Sequence, residues 1–146
     1  MTTVADILKS KLIQTVHTVE ADASVLDAVE HMSAANTGAL VVVEQERVVG
    51  IVSERDFARK FILRQLSAKD VRVRQIMSAP VLFVPPDRTS DECMALMTEN
   101  RLRHLPVMDG ERLVGLVSIG DLVKQVVSEQ KFVIEQLEHY ITGEHA

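Results

Sequence analysis

Two kinds of segment alternate along the 146-residue chain. In "SVLDAVEHMSAAN" the apolar residues Val25, Ala28, Val29 and Met32 recur at the spacing of a helix with one buried face, and Ser24 offers an N-cap oxygen. "GALVVV", from Gly38, is a short run of branched residues that suits a buried strand. "EQER" then turns the chain, "VVGIVS" reads as a second strand, and a helix is expected from Ser53. The order returns further on. Thr89 caps a helix carrying Cys93, Met94 and Met97. A strand follows, the Asp109–Gly110 pair marks a hairpin, and "LVGLVS" leads into a helix at Ser118. A short first strand is expected in "TVHTV" of one half and in "VLFV" of the other.

The return is a repeat. Gly50 and Gly115 stand 65 residues apart, and the same offset carries Ser53 onto Ser118, Asp56 onto Asp121 and Met32 onto Met97. The opening "VADIL" matches "VRQIM" at an offset of 69, which gives the first copy about four extra residues near Ser10–Gln14. Self-similarity of this length marks a duplicated structural unit. The polar, basic stretch "RQLSAKDVRVRQ" separates the copies, giving units at 1–68 and 69–128 and a C-terminal extension at 129–146.

Composition narrows the chemistry. Apolar residues make up 47% and aromatics only 3%, without Trp, so the interior must be built from Val, Leu, Ile, Met and Ala. A formal charge of −5 argues against general nucleic-acid binding, which needs cationic surface. No apolar run is long enough for a membrane span and no leader pattern is visible, so a cytoplasmic protein is expected. The single Cys93 allows no internal disulfide. His17, His31, His104, His139 and His145 show no metal spacing. No catalytic constellation stands out, so a binding module rather than an enzyme is expected, with no catalytic cofactor.

The candidate chemistry lies at the two Ser-x-x-Asp helix starts. Backbone N–H groups there lack helical partners and attract anions. Ser53 or Ser118 can donate to a phosphate, and Asp56 or Asp121, one turn in, can accept from ribose hydroxyls. Gly50 and Gly115 permit close approach of a ligand or of another backbone. The same spacing also describes a capping box that needs no ligand.

These phrases, "GIVSERD" and "GLVSIGD", together with "RHLPVMDGERL", resemble the cystathionine-β-synthase (CBS) domain, here in tandem from about Val4 to Val127. The resemblance implies an α+β fold of two β-α-β-β-α units packed as a pseudo-twofold pair. It also implies two clefts that take adenosine compounds such as AMP, ADP, ATP, NAD or S-adenosylmethionine. On that pattern Ser53, Asp56, Ser118 and Asp121 hold ribose and phosphate, with Arg55 beside the first start and Ile119 and Gly120 beside the second. Gln14, Thr15, Val16 and His17, and likewise Ala79, Pro80 and Val81, flank the adenine. Thr37, Gly38 and Ala39 line one cleft wall; Arg103 and His104, with Pro106 nearby, line the other. Arg103 is placed to serve either its own cleft or the opposite one, or simply to cover a strand. Arg55, Arg59 and Lys60 form either a second phosphate contact or a solvated helix face. Pro106 lies in an expected strand and so belongs at an edge or a strand start.

The tail beyond Asp121 predicts a helix of about 20 residues with Leu122, Val126, Val133, Leu137 and Tyr140 near one stripe. That stripe leads to the expectation of a homodimer. The whole reads as an energy or redox sensor that binds an adenosine nucleotide and acts on an effector protein. The alternative is an interaction protein with vestigial clefts that docks a partner through the C-terminal helix.

Overall fold

The computed structural model describes residues 1–11, 16–62, 64–65 and 67–142. In the first half, β1 (Thr18–Glu20), α2 (Val25–Ala35), β2 (Ala39–Glu44) and β3 (Arg47–Ser53) follow the short helix α1 (Val4–Ser10). The helix α3 (Glu54–Asp56) then runs on as a π-helical segment, Phe57–Ile62. In the second half, α4 (Val73–Ile76) precedes α5 (Ser90–Asn100), β4 (His104–Asp109), β5 (Arg112–Ser118) and α6 (Ile119–Thr142). β1 pairs parallel with β2, and β2 antiparallel with β3. β4 pairs antiparallel with β5.

Local chemistry explains these elements twice over. Ser24 Oγ accepts from the Asp27 N–H at 3.1 Å, and Thr89 Oγ1 accepts from the Glu92 N–H at 3.2 Å, so both expected caps form. Both helices end in a left-handed residue, Asn36 (φ 53°) and Arg101 (φ 54°). Both hairpins shift register at matching places, between Val42 and Val43 and between Val107 and Met108. Gly110 takes φ 62° in one hairpin turn, while Gln45 and Glu46 take 51° and 65° in the other.

Two sequence expectations change. Val29 does not join the core stripe of α2; it is 41% exposed, while Val25, Ala28 and Met32 are buried. "VLFV" does not form a strand. Only Val84 pairs, through a single parallel bridge to Val107, and Leu82 and Phe83 face solvent. Pro80, Pro85 and Pro86 surround this stretch and supply no N–H for a longer ladder.

The two cores are closed crosswise. Val73 and Ile76 of α4 lie in the first core with Val25, Met32, Leu40, Val42 and Val52. Val4 and Ile7 of α1 lie in the second, with Cys93, Met97, Leu105, Val117 and Leu122. Backbone bonds repeat the exchange. The Val73 and Arg74 N–H groups donate to the Ala23 and Ala21 carbonyls; the Val4 and Ala5 N–H groups donate to Arg88 and Pro86, all at 2.8–2.9 Å. The leading helix of each half thus completes the other.

The paired glycines belong to this exchange. A methyl at Gly50 would stand 2.6 Å from Met77 Sδ and 3.1 Å from the Ser78 carbonyl oxygen. One at Gly115 would meet Leu8 Cδ1 at 2.5 Å. The close approach is therefore between leader and strand. Gly50→Ala is expected to cost about 1–3 kcal/mol, because a backbone carbonyl as well as Met77 must shift. Gly115→Ala should cost less, since only the end of a Leu side chain must turn away. Urea denaturation of the two variants checks the order; equal midpoints would count against this packing.

Candidate ligand-binding clefts

β3 ends at Ser53 and β5 at Ser118, and at both places the Asp three residues on turns back. The Ser53 N–H donates to Asp56 Oδ2 at 2.9 Å, and Ser53 Oγ donates to the same oxygen at 3.1 Å. The Ser118 N–H donates to Asp121 Oδ2 at 2.9 Å, and the Asp121 N–H donates to Ser118 Oγ at 3.1 Å. The next N–H groups are engaged as well. Glu54 donates to the Gly38 carbonyl at 3.0 Å and Ile119 to that of Arg103 at 2.8 Å. Each helix start is thus partly satisfied within the chain, and its opening residue is tied to the residue just before the neighbouring strand.

The second carboxylate contacts differ. Asp56 Oδ1 accepts from Ser78 Oγ at 3.1 Å and pairs with Lys60 Nζ at 3.2 Å. The π-helical segment carries Lys60, whose ammonium also donates to the Ile76 carbonyl at 3.2 Å. Only 9% of the Asp56 side chain is exposed. Asp121 instead meets the leader: Lys11 Nζ lies 3.0 Å from Oδ2 and also donates to the Leu116 carbonyl at 3.0 Å. Burial pushes the Asp121 carboxyl up, but the Ser118 N–H and Lys11 outweigh it and hold the group below its usual range.

A cavity opens beside each leader. The larger, of about 460 Å³, lies between the halves. Ser53, Arg55, Asp56, Arg59 and Lys60 form one wall, Ser78 and Pro80 to Leu82 a second, and Arg101 to His104 the facing wall. Arg103 therefore faces the cleft of Asp56, across the pair from its own Asp121. The smaller cavity, about 320 Å³, is bounded by Val16, His17, Asn36, Thr37 and Ala39 on one side and by Leu8, Lys11 and Val114 to Leu116 on the other.

The expected site residues distribute unevenly over these cavities. Gly38, Ser53, Arg55, Asp56, Pro80, Val81, Arg103 and His104 gather in the larger. Val16, His17, Thr37 and Ala39 gather in the smaller. Gln14 and Thr15 lie outside the described residues. The described linings do not include Ala79, Pro106, Ser118, Ile119, Gly120 or Asp121. Pro106 is buried in β4, where its carbonyl accepts from the Val84 N–H at 3.0 Å. Sequence reasoning missed Lys11, Ser78 and Arg101. The change of offset from 65 to 69 sets the leaders apart from the rest of the repeat, but it does not say which half they pack on.

Other candidate chemistry recedes. Cys93 is buried, which pushes its thiol up and away from thiolate reactivity. Among the described residues no cluster of His, Cys, Asp or Glu is arranged to hold a metal, and no helix is long and apolar enough to cross a membrane.

The CBS domain profile matches residues 4–63 and 73–128. The chain belongs to the CBS-domain family. A CBS-domain protein from Burkholderia ambifaria, assigned to signal transduction, is 53% identical with a TM-score of 0.84, over 88% of this chain and 96% of that one. A mitochondrial CBS domain-containing protein of Arabidopsis thaliana is 40% identical over 97% of this chain and 73% of its own. A hexameric CBS-CP12 protein from bloom-forming cyanobacteria is 29% identical with a TM-score of 0.75, over 83% of this chain and 66% of that one. The protein is thus a tandem CBS-domain protein in an α+β fold.

His104 gives the larger CBS cleft a pH signature. Burial pushes its imidazole below the usual value; Asp121 opposes this, and Lys11 and Arg103 reinforce it. The unfolded chain therefore takes up a proton first as pH falls through about 6.5. Stability from the neutral ring is complete above that pH and is lost as pH falls on towards the folded-state value. Urea midpoints between pH 7.5 and 5 should fall in the wild type and fall less steeply in His104→Gln. Parallel slopes would assign the loss to other groups.

Proposed function

We propose that this CBS pair is a sensor of adenosine nucleotides, taking AMP, ADP, ATP or NAD between its halves and changing their packing, or that of two copies, to signal to an effector protein. The observation that carries this reading is the composition of the larger cleft. One wall comes from the first half, the facing wall from the second, and a third, Ser78 with Pro80 to Leu82, from the stretch of the second half that follows its exchanged leader. A ligand there touches all three parts, so its affinity must depend on how they are arranged. Pro80, Val81 and Leu82 offer an apolar slot for a base. Asp56 offers a carboxylate to ribose hydroxyls, which would replace Ser78 Oγ and Lys60 at Oδ1. The volume lies in the range of small-molecule sites. CBS domains in general bind adenosine ligands, which supports the same reading.

We further propose that two copies associate through α6. Beyond the second core this helix runs on with Val123, Val127, Ile134, Leu137 and Ile141 exposed. With Gln130, these positions alternate steps of four and three, the seam of a coiled coil, and such a seam is matched by another helix. The seam shares Leu137 with the stripe expected from Leu122, Val126, Val133, Leu137 and Tyr140 and otherwise lies beside it. That inner stripe is buried only at Leu122 and partly at Val126. The hexameric cyanobacterial relative supports assembly in the family.

Two measurements test these readings. At about a hundred times its dissociation constant, a nucleotide should add about 2.7 kcal/mol to folded-state stability. A thermal-shift panel of AMP, ADP, ATP, NAD and S-adenosylmethionine should reveal at least one such ligand. The shift should vanish in the double variant Asp56→Asn, Asp121→Asn, if circular dichroism shows it folded. No shift from any ligand, with none retained on purification, would remove the sensor reading.

For association, light scattering should give a dimer or higher species for the wild type. Ile134→Glu with Leu137→Glu should give a monomer that melts cooperatively, since both positions are more than half exposed. A wild type monomeric at micromolar concentration would sink the α6 interface.

A further inference from the structure

We infer that the Asp56 cleft is a polyphosphate site: it prefers a nucleotide carrying two or more phosphates to a monophosphate or a nucleoside. This rests on the nucleotide-sensor reading and names the ligand class for one of its two clefts.

The cavity lining contains Arg55, Arg59, Lys60, Arg101 and Arg103 against Glu54 and Asp56, five cations to two carboxylates. Lys60 is already committed to Asp56. None of the four guanidinium groups has an ion pair or a side-chain hydrogen bond among the described residues. Four like charges gathered around one opening repel each other, and an anion bound between them relieves that repulsion. A phosphate monoester brings about two negative charges, and each further bridging phosphate adds about one. The three positive charges left over in the lining thus exceed what a monophosphate supplies. The guanidinium fork grips phosphate oxygens in pairs, and here forks stand on both sides of the opening, two from each CBS half.

The symmetry of the pair provides an internal control. At the repeat offset Arg55, Arg101 and Arg103 correspond to Gly120, Asn36 and Gly38. The smaller cleft has Lys9, Lys11 and His17 in its lining, with Lys11 engaged by Asp121, and no arginine among the described residues. Arg59 corresponds to Lys124, which is exposed on the regular helix α6 and is not part of that lining. Arg101 is also kept at φ 54°, a conformation that Asn adopts at lower cost, as Asn36 does at the matching cap. The same frame therefore carries an arginine-rich mouth on one side only.

The test is titration calorimetry of the full chain with adenosine, AMP, ADP, ATP and inorganic tripolyphosphate, on the wild type and on Arg101→Asn, Arg103→Gly. Both replacements are the residues that the first half carries at these positions, so the local backbone accommodates them. For the wild type, ADP and ATP should bind about ten-fold or more tighter than AMP, with an advantage that shrinks as salt rises. Tripolyphosphate should bind and compete with ATP. In the variant the advantage of ATP over AMP should drop to about three-fold or less, with adenosine unchanged.

If AMP and ATP bind the wild type equally, the polyphosphate inference is overturned and the sensor reading stands. If the preference survives in the variant, the arginines do not read it and the inference again falls. If no adenosine compound binds but tripolyphosphate does so through the arginines, the sensor reading falls and the anion site remains. If tripolyphosphate does not bind either, both are overturned.

Discussion

The exchange of leading helices is the constraint on which this molecule turns. Each half builds a layer of strands and helices whose apolar side lacks one wall. Val73 and Ile76 close the first, and Val4 and Ile7 close the second. Burying a branched or Leu-sized side chain contributes about 1.5–3 kcal/mol, so the exchanged residues supply several kcal/mol to the core of the half they join. The pair is therefore a single cooperative object, although its sequence is two copies of one unit. The glycines follow from the same fact. Gly50 and Gly115 leave room for Met77 and Leu8, which arrive with the exchanged leaders.

The clefts are a by-product of this closure. Because α4 lies on the first half, the chain leaving it passes beside Asp56 and delivers Ser78 to that carboxylate. Because α1 lies on the second half, Lys11 arrives at Asp121. The Ser-x-x-Asp phrase has a structural task at both places, since it closes the first turn after a strand. Cap and ligand site are not exclusive readings. The cap uses Oδ2 in each half, while Asp56 Oδ1 faces Lys60 of its own helix and Ser78 of another segment. The cap fixes the carboxylate in place, and that fixity is what a ligand-binding acceptor requires.

The sequence showed the repeated frame well, because the frame depends on local chemistry. Ser24 and Thr89 at helix starts, the Val-rich strand at Ala39–Glu44 and the Asp109–Gly110 turn each act within a few residues. "VLFV" failed for a reason also local: branched residues favour a strand, but the surrounding prolines withhold the donors a ladder needs. What stayed hidden was non-local. No periodicity says that Val4 belongs to the second core, or that Arg103 faces the Asp56 of the other half. Arg101 was passed over because an arginine at a left-handed helix cap resembles any surface residue until the opposite wall is in view. Lys60 was visible as one of a cationic cluster with Arg55 and Arg59, but its commitment to Asp56, four residues back, emerges only from the structure.

The two halves have kept the frame and diverged at the mouth. On one side the carboxylate is held by a lysine of its own helix, four residues on, and arginines stand across the opening. On the other a lysine of the exchanged leader holds it. A molecule that competes for Asp121 would therefore loosen a contact between a leader and the half it completes. One that competes for Asp56 would loosen the contact of Ser78, which follows the other leader, and would draw Arg101 and Arg103 towards the first half. If the clefts take ligands as proposed, both events would act on the closure of the cores and so on the packing of the whole pair. A bound group with equal contacts in the open and closed arrangements would have no such leverage, however tightly it bound. The unequal mouths thus provide one frame with two different ways to bias the same closure.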